Sequence, residues 1–421
     1  MTGVQTCALP IYTAPRIHSP RVLVVGAGPA GTACAIELVR LGFDAVVVDK
    51  AVFPRDKCCG DGLTASALRH LEQLGLDVPS LPGMRSTTEV RVHAPSGRTV
   101  ELALPRDGMY AVVVPRVDLD AALVAHSRSI DVDVREGCEV VSVAHDGADG
   151  VLVGMSDGSM SRWDHVVAAD GMWSPTRKLL GLDEQGYLGE WHAFRQYASN
   201  VTGPAADELH VWFEEDLLPG YAWSFPLPGN RANVGFGMLR DERTSGKQMA
   251  AKWRDLLARP HIRAALGETF EMEGRHTAWP IPARVDRAVR SSGRVLFVGD
   301  AVCATDLLTG EGIGQALETG RLAAQAISEG RTPADVRARY SELLDSHFLA
   351  DHRMSAFLGR LLAGRRVTEA VLRTVDTNDW TRRNFARWMF EDEPRAVVLT
   401  PRRWHRRFLS RPGAFTGRAP Q

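Results

Sequence analysis

A chain of 421 residues is long enough for two or three packed domains, and a formal net charge of −1 gives it no general pull toward nucleic acid. No apolar run reaches the roughly 18 residues that a membrane-spanning helix needs. The six cysteines form no C-x-x-C and no zinc spacing, which fits a reduced, cytoplasmic compartment, and the thirteen scattered histidines suggest no metal site.

The chain starts with MTGVQTCALPI, which lacks the basic start and apolar core of a signal peptide and resembles the translation of a sequencing adapter. Residues 1–20 are expected to be an artefact or a disordered leader. From Arg21 the sequence reads RVLVVGAGPAGTACAIELVRLGFDAVVVD. The run Val22 to Val25 predicts a strand buried on both faces of a parallel sheet. Gly26, Gly28 and Gly31 follow as G-x-G-x-x-G, with Pro29 and Ala30 between them. A helix from Ala30 to Leu41 leads to a second buried strand, Ala45 to Val48, which closes on Asp49 and Lys50. Glycines at this spacing let a pyrophosphate approach the helix N-terminus, and an acid at the end of the second strand can take a ribose hydroxyl pair.

The next stretch, AVFPRDKCCGDGL, is a loop by its Pro54, Gly60 and Gly62, leaving the cofactor edge of the sheet. Arg55 and Lys57 could meet phosphate there. Vicinal Cys58 and Cys59 are either structural or chemical. A helix follows from about Thr64. Thr88 to Leu104 alternates around APSG and predicts a hairpin, and Met109 to Val114 predicts another strand. Arg116, at the start of the next helix, reaches a phosphate or ribose or else is solvated. Strands between Asp133 and Val153, with Val140 among the expected cofactor contacts, and from Arg162 to Ala169 form a small antiparallel insert that returns to the main sheet.

Two further strand ends carry an acid beside a glycine. The first is Asp170-Gly171, followed by Ser174-Pro175 opening a helix. The second is Gly299-Asp300, followed by Gly310, Gly312, Ile313 and Gly314 at a helix N-terminus. Carboxylates here can hold ribityl hydroxyls, and the helix end favours negative charge on a reduced flavin ring. Between them lies LPGYAWSFPLP, where Tyr221, Trp223 and Phe225 share one face of a strand and line either a core or an apolar pocket. From Pro333 the chain reads helical. Its end, PRRWHRRFLSRPGAFTGRAP, is basic and aromatic, and could lie on an anionic lipid surface or be a solvated tail. With no second strand-bound G-x-G-x-x-G, the reductant, NAD(P)H or another external electron donor, is expected to dock transiently.

The three segments GAGPAG, DGMWSPTR and GDA…GEGIG resemble those of p-hydroxybenzoate hydroxylase-like flavoproteins. Within that group KCCG resembles the K-x-C-G loop of the geranylgeranyl reductase family, with Cys59 at its cysteine. PGYAWSFP carries that family's Y-x-W-x-F-P spacing through Tyr221, Trp223, Phe225 and Pro226, and LTGEGI resembles its third segment. The resemblance implies an α/β protein. A discontinuous Rossmann-like FAD domain (21–87, 110–185, 286–332) would be joined to an antiparallel β-sheet substrate domain (88–109, 186–285), with a C-terminal helical region and basic tail (333–421). It implies reduction of isolated C=C bonds in a polyprenyl substrate, with catalytic Cys59 and cofactor-binding Gly60 beside the flavin. The aromatic motif would line the substrate tunnel. An FAD-dependent aromatic-ring monooxygenase is the alternative on the same fold.

Overall fold

The computed structural model describes residues 20–147, 150–241, 245–390, 396 and 412–416. Arg21–Val25 is a strand because its valines and leucine are buried on both faces, and it pairs in parallel with Asp44–Asp49 on one side and His165–Ala168 on the other. Val295–Phe297 and Asp133–Glu136 extend this sheet in parallel, and the short antiparallel strand Ser291–Ser292 ends it. Pro29–Arg40 is the crossover helix, opened by proline directly after Gly28. The helix Ile313–Glu329 packs across it, and the approach is close enough that a side chain on Gly320 would collide with the Ala30 carbonyl. The strand ends at 25, 49, 168 and 297 therefore deliver four loops to one edge.

The second layer is a seven-stranded sheet in the order Glu271–Ile281, Trp191–Ser199, Arg231–Leu239, Tyr221–Leu227, Leu209–Trp212, Glu89–His93, Thr99–Ala103. The expected hairpin of Glu89–His93 and Thr99–Ala103 joins it through one parallel pairing, to Leu209–Trp212, while the other pairs are antiparallel. Tyr221 and Trp223 pair opposite Gly237 and Gly235, and a side chain on Gly235 would collide with the Trp223 ring. Glycine on one strand thus makes room for the indole on the next. Of the expected small insert only Val140–Asp146, Gly150–Met155 and Met160–Trp163 form a separate antiparallel sheet, because Asp133–Glu136 and His165–Ala168 pair in parallel within the main sheet.

Helices Pro333–Leu344, Ala350–Leu362, Arg365–Val375 and Asp379–Phe390 follow. The leucine- and arginine-bearing run from Leu361 to Val375 is divided at Gly364, whose extended backbone caps the third of these helices. No helix among the described residues is long and apolar enough to cross a membrane. Most of the basic tail lies outside the described residues. Part of its end is described, however: Ala414 pairs with Met109, and Ala414 and Phe415 are buried among Leu68, Leu71 and Val112. A wholly solvated end is therefore corrected for this piece, since a short strand-like contact with backbone partners buries it.

Candidate functional site

One cavity of about 630 Å³ runs from the strand ends of the parallel sheet to the aromatic strand of the second sheet and on to the C-terminal helices. The first glycine of the turn, Gly26, has φ +105°, and a Cβ there would strike the Ala169 carbonyl. Gly28 differs. Its backbone is ordinary, and a Cβ would face only the guanidinium groups of Arg55 at 3.7 Å and Arg116 at 3.9 Å. Both arginines are held by buried Asp120, Arg116 through two 2.7 Å bonds and Arg55 at 3.2 Å, so Arg116 is a positioned cation rather than a solvated one. Two guanidiniums over an open glycine turn suit a pyrophosphate.

Asp49 accepts the Ala27 N–H and the Ala51 N–H, each at 2.8 Å, leaving a further lone pair on each oxygen. Asp170 accepts the Thr176 N–H at 2.8 Å through one oxygen, while its other oxygen is buried without a protein partner. Burial pushes this carboxyl up, so a donor arriving in the cavity would relieve it. Asp300 pairs with Lys57 at 3.3 Å, tying the cysteine loop to the third glycine segment. Gly310, Gly312 and Ile313 face the cavity at the start of a 17-residue helix. An open cradle flanked by cations, an orphaned acceptor and a helix N-terminus together fit FAD.

Lys50, Gly60, Val140, Gly171 and Gly299 also line the cavity, as do Pro29 and Ala30. Three expected contact residues do not. Gly31 is packed against the Gly26 carbonyl, where its missing side chain lets helix meet strand. Gly314 lies inside the helix, against Glu311 and Ala67. Pro226 alternates to the opposite face of its strand from Phe225 and is buried there.

The aromatic strand forms one wall. Tyr221, Trp223 and Phe225 all line the cavity, with successive ring centroids 6.0 Å apart. The Tyr221 hydroxyl donates to the Thr309 carbonyl. Cys59 is half-buried between this wall and the glycine segments. Burial, then the charge of Asp61, pushes its thiol up, so it carries a proton at neutral pH. The neighbouring Cys58 sulfur instead accepts the Thr277 hydroxyl at 3.2 Å. The two cysteines thus have different partners.

Sequence reasoning missed the group beneath Cys59. Asp61 is fully buried with φ +63° and accepts from Tyr197 Oη at 2.7 Å and Asn233 Nδ2 at 2.8 Å. Burial outweighs these bonds and nearby Arg195, lifting its carboxyl to about 6. Asn233 and Arg195 also donate to the Cys59 carbonyl, at 2.9 and 3.2 Å. The available signal was the acid two residues after Cys59 in a glycine-bounded loop.

The FAD binding domain family model matches residues 20–331. The menaquinone reductase of Mycolicibacterium smegmatis is 32% identical, over 81% of this chain and 84% of that protein. Digeranylgeranylglycerophospholipid reductase 2 of Methanopyrus kandleri is 30% identical, over 78% of this chain and 82% of that one. Among solved structures, a geranylgeranyl bacteriochlorophyll reductase-like protein of Thermoplasma acidophilum superposes with a TM-score of 0.75 at 20% identity, covering 91% of this chain and 98% of that one.

Proposed function

This chain belongs to the geranylgeranyl reductase family of FAD-dependent oxidoreductases, and on that premise we propose that it reduces isolated carbon–carbon double bonds of a polyprenyl chain. The observation that carries this reading is the continuity of the cavity. Its polar end is the flavin cradle, its other end is walled by Trp223, Phe225, Leu362 and Leu372, and Cys59 stands between. The names of relatives acting on menaquinone and on digeranylgeranylglycerophospholipid support a prenyl-bearing substrate.

An isolated alkene is unpolarised, so it must receive hydride at one carbon and a proton at the other. FAD, when bound and reduced, supplies the hydride. The chain's own residues do the rest. Tyr221, Trp223 and Phe225 orient the flat alkene and exclude water. Cys59 presents an S–H at the junction. As that bond breaks, a C–H bond forms on the second carbon, and a solvent proton later restores the thiol. Asp61, Asn233 and Arg195 hold the cysteine loop in place. NAD(P)H or another carrier is the proposed external reductant.

The test is mass spectrometry of polyprenyl lipids after anaerobic incubation with chemically reduced enzyme. Addition of two hydrogens per bond is expected. A product carrying an added oxygen atom, formed only in air, would overturn the reading in favour of monooxygenation.

A further inference from the structure

Resting on that polyprenyl reading, we propose that the apolar mouth of the cavity is a membrane-docking surface. The end of helix Ala350–Leu362 and the outer face of helix Arg365–Val375 would seat on an anionic bilayer, and a prenyl chain would pass from lipid into the cavity without crossing water. The opening is located by side chains that belong to both sides of it. Leu361, Val367 and Val371 wall the cavity and are also 42%, 39% and 38% exposed.

The helix faces around this opening are built alike. On Ala350–Leu362, Arg353, Phe357, Arg360 and Leu361 recur at helical spacing and all are exposed, Phe357 at 55%. On Arg365–Val375, Thr368, Leu372 and Val375 turn inward, which leaves Arg366, Val367, Ala370, Val371 and Arg373 outward. Between Arg353 and Val375 there are five arginines and a single acid, Glu369, which takes the Ser96 hydroxyl. Arg365 pairs with Glu215 at 2.8 Å. Positive charge is thus concentrated at the mouth of a chain whose net charge is −1.

An apolar patch edged by guanidiniums matches the boundary between acyl chains and anionic headgroups. Helices of 13 and 11 residues are too short to span a bilayer, so the contact is interfacial. A second copy of the chain is disfavoured as the occupant, because a two-fold contact centred here would bring the same arginines face to face.

The test uses the full-length, FAD-loaded protein in flotation with phosphatidylcholine vesicles, with and without phosphatidylglycerol. The variants are Phe357→Ser and the triple change R353E/R360E/R366E, none of which lines the cavity. Wild type should float with the anionic vesicles. The triple change should lower partitioning by at least about a hundredfold, since each cation near such a surface is worth about fivefold, and Phe357→Ser should lower it several-fold. Both variants should reduce a short, water-soluble prenyl substrate at the wild-type rate. Flotation unchanged in the variants, or absent in wild type, would overturn the proposal. So would a wild-type dimer that Phe357→Ser makes monomeric, because a second copy would then cover the face. If docking behaves as expected but no prenyl substrate is reduced by any form, the catalytic reading fails and the docking surface stands.

Discussion

Trp223 Nε1 donates to Asn233 Oδ1 at 3.1 Å, and this bond couples the aromatic wall to the cysteine loop. The same Asn233 side chain donates to the Cys59 carbonyl and to Asp61, and the residue is fully buried. Water cannot replace these bonds. Asn233→Ala should therefore lower stability by about 1–3 kcal/mol for the polar groups it orphans. It should also impair alkene reduction while FAD still binds, because Asn233 bonds to Trp223, Cys59 and Asp61 and to neither the glycine turn nor the Arg55–Asp120–Arg116 cluster. Cys59→Ser should keep the wild-type flavin spectrum and fold yet lose activity on the order of 10²- to 10⁴-fold. Trp223→Ala should mainly change which chain lengths are accepted. Absorbance for FAD content and product mass for turnover check all three; full activity in Cys59→Ser would remove the thiol from the mechanism.

Asp61 gives a pH signature. Its folded value of about 6 lies above the ordinary 3.8, so ionising it works against the fold. Its contribution to stability is full below the ordinary value and is lost as pH rises through about 6. Asp61→Asn removes that titration, so the difference in Tm between variant and wild type should shift in the variant's favour between pH 5 and pH 7. The charge of Asp61 also raises the Cys59 thiol. In a Cys58→Ser background, Asp61→Asn should therefore lower the pH at which Cys59 becomes reactive to an alkylating agent. An unmoved alkylation profile would mean that Asp61 does not influence the thiol.

Two glycines two residues apart in the same turn, Gly26 and Gly28, should respond in opposite ways. At Gly28 the backbone is ordinary and the space is open apart from two guanidiniums, so Gly28→Val should fold and keep the apoprotein Tm while losing FAD, whose pyrophosphate the side chain would displace. At Gly26, φ +105° and the Ala169 carbonyl leave no room, so Gly26→Ala should lower the Tm of the apoprotein itself. Full FAD occupancy in Gly28→Val would place the cofactor elsewhere.

These contrasts explain what the sequence could reveal. The strand, glycine turn, helix and strand of residues 21–49 are set by local spacing, and so are the acid–glycine pairs at 170 and 300. All three lie on the cavity. The Asp61 cluster is different. Tyr197 and Asn233 are cross-strand neighbours, and they reach Asp61 across 136 and 172 positions of chain. Only the register of the seven-stranded sheet brings them together, and no periodicity within one strand encodes register between two. Pro226 shows the converse: a motif names adjacent residues, but strand alternation sends them to opposite faces.

The chain's end offers the remaining prediction, and it changes how the basic tail should be tested. The Phe415 N–H donates to Glu72 at 3.0 Å, Arg69 donates to the Pro412 carbonyl, and Ala414 exchanges backbone bonds with Met109. Phe415 is 8% exposed beside the helix Ala65–Leu74. Truncation before Arg402 would remove this docked piece together with the basic stretch, so lost vesicle binding could not be separated from lost packing. Phe415→Ala isolates the packing. Burial of a side chain this size is worth roughly 1.5–3 kcal/mol, and the variant should show a destabilisation of that order in denaturant unfolding. Its vesicle binding should match wild type, because the cavity mouth and every basic residue remain. Unchanged unfolding in Phe415→Ala would mean that the 412–416 segment does not stay docked in solution.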